Sequence, residues 1–192
     1  MTTDSKDTKE KDMKDINENS KRQLAAHLEC GKIINTHGLD GTLKLESYCD
    51  SPDVLADLEY IYFKDEKSGE MQPRRILRAS VHKRFVLMHL EGVDTSEAAD
   101  ALRETIVYAA REDLPIAPGA HFIVDLIGLP VIDVDSGLTY GRISYVFNAG
   151  ASDIYTIETP SGERMMPAVP EFVIRIDIDH GVFVRPIEGM FD

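Results

Sequence analysis

A chain of 192 residues, 43% hydrophobic and 29% charged, has room for one large domain or two small ones and reads as globular. No window approaches eighteen consecutive apolar residues, which excludes a transmembrane helix, and the polar, charged run from Met1 to Arg22 is unlike a signal peptide. Cys30 and Cys49 are too few for a disulfide framework; free thiols in a reduced, cytoplasmic setting fit better, although one bridge stays open.

The net charge of −13 is unevenly spread. Residues 1–23 sum to zero and have almost nothing to bury, so a disordered tail is expected. Strands follow: a run through Glu29 to His37, a Gly-bounded turn, then period-two alternation from Gly41 to Tyr48. Tyr60 to Phe63, Arg74 to Ser80, Phe85 to Leu90 and Ile106 to Ala110 also read as strands. One helix is expected after Asp94, with Asp94 as cap, Glu97 completing a capping box, and Ala98, Ala101 and Leu102 as its apolar stripe.

Residues 111–119 carry charges, two prolines and a glycine, the composition of a linker. Beyond it, six short strand-like runs alternate with turn signals such as Asp135-Ser136-Gly137, Asn148-Ala149-Gly150 and Pro160-Ser161-Gly162, which suggests a small barrel. Residues 116–192 hold 11 acids against four bases, Arg142, Arg164, Arg175 and Arg185. That stretch repels bare nucleic acid and attracts a basic protein, if the acidity serves more than solubility.

Enzymatic chemistry is poorly spelled out. The six histidines form no zinc spacing, and nucleophile-elbow, P-loop and dinucleotide motifs are lacking. A Cys30–His37 nucleophile pair reads as coincidence, and Asp133 with Asp135 reads as a solvated turn rather than a metal site. No catalytic residue, metal or cofactor is expected. The dense basic cluster Arg74, Arg75, Arg78, Lys83 and Arg84 could hold an RNA backbone, or could simply be a solvated strand pair.

Two stretches resemble the RimM family. Gly31-Lys32-Ile33, then Thr36-His37-Gly38-Leu39-Asp40-Gly41, is similar to that family's opening signature. Gly38 and Gly41 allow a sharp turn that His37 can tie by hydrogen bonding. The run from Asp125-Leu126-Ile127-Gly128 through Phe147-Asn148-Ala149-Gly150 to Arg164-Met165-Met166-Pro167 is similar to the PRC-barrel that closes those proteins. The resemblance implies a mainly β chain of two barrels in tandem: tail 1–23, a six-stranded translation-factor-like barrel over 24–112, a linker at 113–119 and a PRC-barrel over 120–192. It also implies a monomeric, non-enzymatic cytoplasmic factor without membrane contact. Such a factor would bind the pre-small ribosomal subunit through a basic ribosomal protein of its head and aid processing of its rRNA.

The family's usual Tyr-Tyr pair is replaced here by His121-Phe122, which with Phe147, Asn148, Ala149 and Gly150 is the expected protein-docking site. Glu104 stands where the family often has Gly, so that turn is expected to be built differently. Two other classes remain as alternatives: a hydrolase or isomerase using Cys30, His37 or the aspartates, and a PRC-type module of photosynthetic or RNA-metabolic complexes.

Overall fold

The computed structural model describes residues 22–191. They form two compact units, one of residues 25–117 and one of 118–191 joined by 22–24. The expected tail falls mostly on residues 1–21, which lie outside the described residues.

In the first unit the strands are β1 (His27–Thr36), β2 (Leu43–Ser47), β3 (Tyr60–Lys64), β4 (Met71–His82), β5 (Phe85–Leu90) and β6 (Ile106–Ala110). They are ordered β1-β2-β5-β4-β3-β6 and close into a barrel. β6 runs antiparallel to β1 along its length and meets β3 at one register pair, Tyr62↔Tyr108. Strict alternation in β5 sends Val86, Met88 and Leu90 inward, where they pack with Ile33, Leu43, Leu45, Ile61 and Val107. β4 is the exception: only Ile76 and Ala79 of its twelve residues join that core.

Two short helices brace this barrel. Helix α1 (Pro52–Ala56) starts at Ser51, whose Oγ accepts the Asp53 N–H at 3.2 Å, with Pro52 in the first turn and Leu55 fully buried. Its sequence is too short for a helical period to show. Helix α2 (Ser96–Asp100) is the expected one, capped differently. Thr95 is the cap and its Oγ1 accepts the Ala98 N–H, while Asp94 sits 3.5 Å from His89 Nε2. The one-residue shift turns Ala99 into the core and leaves Ala98 and Ala101 outside; Leu102 still packs inward.

The turn after α2 departs from expectation as well. Glu104 adopts φ +66, the left-handed region that glycine occupies freely, and its N–H donates to Ile33 O at 2.8 Å. A hydrogen bond and ion pair with Lys32 hold its carboxylate below the usual range and anchor the side chain. The glycine geometry is thus kept without glycine.

The second unit contains α3 (Ile123–Leu126) and strands β7 (Pro130–Asp133), β8 (Thr139–Asn148), β9 (Asp153–Thr159), β10 (Gly162–Pro167), β11 (Val173–Asp177) and β12 (Gly181–Val184). The sheet order is β10-β9-β8-β7-β12-β11, antiparallel except for β12 on β7. Met166 of one edge strand and Val173 and Ile176 of the other join a single core with Val131, Ile143 and Ile157, so the sheet wraps around it. The chain is therefore mainly β, with two six-stranded sheets in tandem. Arg22 belongs to this unit: its backbone N–H donates to Asp179 Oδ1 at 2.9 Å, and its guanidinium donates to the carbonyls of Asp125 and Ile127, each at 2.7 Å.

Glu104→Gly, which relieves the backbone but gives up the Lys32 pair, is expected to leave the urea midpoint unchanged or higher. Glu104→Val, β-branched and unable to pair, is expected to lower it.

Candidate functional site

The expected contact residues fall into several places. The loop joining β1 to β2 is tied by backbone: His37 N–H donates to Thr42 O at 2.7 Å, and the imidazole is exposed. The expected tie by His37 is therefore its amide. Asp40 accepts from Thr42 and from the Arg78 guanidinium, and these bonds, Thr42 first, hold its carboxyl below the usual range. Leu39, at the tip, is 85% exposed. Gly41, at φ +80, is fixed by contact: a Cβ there would stand 2.0 Å from the Val93 carbonyl oxygen. Gly31 is also closely approached, its notional Cβ 2.6 Å from Glu46 O.

The basic cluster is not one patch. Arg78 is spent on Asp40 and Thr42. Lys83 forms the β4–β5 turn at φ +59, and Arg84 lies 4.9 Å over the Phe85 ring, which Lys44 covers at 4.0 Å. Arg74 and Arg75 line a cleft of about 450 Å³ with Phe63, Pro73, Val93 and Leu102. Arg74 also lies 5.8 Å over Phe63 and donates to Pro73 O. Arg75 has no ion-pair partner among the described residues.

In the second unit, His121 and Phe122 are half-buried just before α3, and Ile123 and Val124 are each 50% exposed beside them. Helix α3 is bound to the middle of β8 by Gly128 N–H to Ile143 O at 2.7 Å. Phe147 and Asn148 end that strand, roughly 13–17 Å further along it, and Ala149 and Gly150 lie in the turn into β9. That loop spends its polar groups on itself: Asn148 Nδ2 donates to Asp153, Gly150 N–H to Asn148 Oδ1, and Ala149 N–H to Ser152 O.

Sequence reading passed over the neighbouring sheet face. Register aligns Glu158 with Glu163, then Tyr145, Thr156 and Met165, then Phe147, Ile154 and Pro167 across β8, β9 and β10. The intervening row, Val146, Tyr155 and Met166, is buried in the core. Tyr145 is therefore outward at 61% exposure and Met165 at 62%, with Phe147 stacked on Tyr145 at 6.1 Å.

The aspartate and cysteine alternatives lose their geometry. Asp133 accepts from Tyr140 Oη at 2.6 Å and from the amides of Asp135 and Ser136, and these bonds, Tyr140 foremost, pull its pKa down to about 2. Asp135 forms a bidentate pair with Arg185 at 2.8 and 3.0 Å. Among the described residues no group of three His, Cys, Asp or Glu is placed to hold a metal. Cys30 is free and buried; its thiol donates to Val107 O, and burial pushes its pKa up to about 12, far from a thiolate. His37 lies on the exposed loop, so the two do not pair.

A six-stranded closed barrel followed by a second wrapped six-stranded sheet defines a two-domain β protein. Residues 28–114 match the RimM N-terminal domain and residues 123–185 the RimM PRC barrel domain. Ribosome maturation factor RimM of Acetivibrio thermocellus is 31% identical over 172 residues, covering 88% of this chain and 98% of that protein. The protein of that name from Clostridioides difficile is 30% identical over 174 residues, covering 89% and 99%. A crystal structure of a 16S ribosomal RNA processing protein RimM of Pseudomonas aeruginosa aligns at 25% identity and TM-score 0.43 over 82% of this chain and 96% of its own. The chain belongs to the RimM family.

Gly41→Ala is expected to cost about 2–4 kcal/mol, from left-handed strain plus a backbone clash. Gly69→Ala, with nothing within 4 Å of the new Cβ, should cost about 1 kcal/mol; denaturant midpoints compare them. Because Asp133 titrates lower in the fold than its ordinary 3.8, its contribution is present above about pH 4 and lost as pH falls through about 2. Tyr140→Phe should move the Asp133 carboxyl titration up toward the ordinary value, read by NMR.

Proposed function

We propose that this protein is a monomeric, cytoplasmic ribosome maturation factor that works by binding. It associates with the pre-small ribosomal subunit through a basic ribosomal protein of the head and promotes processing and assembly of the small-subunit rRNA. It catalyses no reaction and needs no cofactor. Family membership supports the ribosomal role.

The observation that carries the protein-docking part is the state of the charges in the second unit. All four arginines of residues 116–192 are engaged internally: Arg142 with Gly128 O, Arg164 with Glu163 O, Arg175 with Asp177 and Arg185 with Asp135. Glu158, Glu163, Glu171, Asp179 and Glu188 stay exposed, a field that draws a basic protein and repels phosphate. His121 and Phe122, with Phe147 to Gly150, supply the apolar part of the contact. The rRNA contact is assigned to the first unit, where Arg74, Arg75, Lys83 and Arg84 lie on exposed strand and turn.

The test is co-sedimentation of the full chain with immature small subunits. His121→Ala with Phe122→Ala is expected to weaken association about tenfold or more, the cost of removing one aromatic anchor. Undiminished association would remove these residues from the docking site.

A further inference from the structure

We propose that the outer face of β8–β9–β10 is the seat of the basic polypeptide partner, which lies across Tyr145 and Met165 and places a cationic side chain against Glu158 and Glu163. The proposal rests on the protein-docking reading above and gives that reading a surface.

Three features carry it. First, the face is apolar where a sheet exposed to water is ordinarily polar: Tyr145 and Met165 flank Thr156 in one register row, and Phe147 extends the apolar strip in the next. Thr156, between them in the register, is only 5% exposed. Second, Glu158 and Glu163 stand directly opposite each other across β9 and β10. Like charges in that position repel, and neither has an ion-pair partner among the described residues. Arg142, the register neighbour of Glu158, sends its guanidinium instead to Gly128 O. Third, among the described residues of this unit each arginine bonds elsewhere, so a basic partner is the natural source of a cation for Glu158 and Glu163.

An apolar strip with an unpaired acidic pair at its end matches a basic segment that also carries an apolar side chain. It is a poor match for RNA, whose phosphates would meet Glu158 and Glu163. An aromatic next to a flexible thioether also suits the centre of a protein contact, where such residues anchor and acids form the rim.

The test uses the full chain, the purified basic proteins of the small-subunit head and calorimetry at about 50 and 300 mM salt. Tyr145→Ser with Met165→Ser should weaken binding at least about tenfold at both salts. Glu158→Gln with Glu163→Gln should weaken it several-fold at low salt only and flatten its salt dependence. Both variants alter exposed side chains, and an unchanged thermal midpoint establishes that each is folded. If both bind as the parent does while His121→Ala with Phe122→Ala does not, the face is not the seat and the docking reading stands. If the unaltered chain binds none of these proteins, the docking reading itself falls, and this inference with it.

Discussion

The return of β6 onto β1 turns the first six strands from an open sheet with two bare edges into a ring. That pairing demands a sharply bent β1. The strand carries a register shift against each neighbour, between Glu29 and Gly31 on one side and between Ile33 and Asn35 on the other. Gly31 lies inside the bend, with the Glu46 carbonyl where a side chain would begin. The left-handed Glu104 delivers the chain into β6 at the other end, pinned to β1 through Ile33 O and Lys32. The loop that follows β1 inherits its position from this ring, which is how Asp40 comes to meet Arg78 from a strand 38 residues away.

The second unit is organised around charge as much as packing. Its inner rows are mostly apolar, and its described arginines bond within the unit. What is left for the surface is carboxylate and exposed apolar area. A unit built this way is selective by sign before any shape is considered, since phosphate is turned away at distances where apolar contact cannot yet act.

Much of the fold was legible because one buried face imposes period two. The run Phe85 to Leu90 is read as a strand and is one, with Val86, Met88 and Leu90 on its buried face. The pattern fails where both faces are wet, as in β4, and where a helix is one turn long, as in α1 and α3. It also fails at a bulge. Ile143, Tyr145 and Phe147 stand two apart in sequence and would be placed on one face. The register shift between Ile143 and Tyr145 puts the first in the core and the other two outside, which is why that outer face stayed hidden. The basic cluster misled in the opposite sense. Five cations within eleven positions look like a patch, but strand pleat, turn and the Asp40 loop divide them among a cleft, a hairpin tip and an ion pair.

The docking of Arg22 on Asp179, Asp125 and Ile127 changes how the two halves are to be counted. In chain topology the first barrel is an insertion: residues 25–117 interrupt a unit whose pieces are 22–24 and 118–191. The two ends of the inserted piece are neighbours, because His27 pairs with Ala110 and Arg111 reaches back to the carbonyls of Ala25 and Ala26. A barrel with adjoining ends is an excisable cassette. The host is not, because cutting at the linker alone strips it of a guanidinium that satisfies two of its carbonyls.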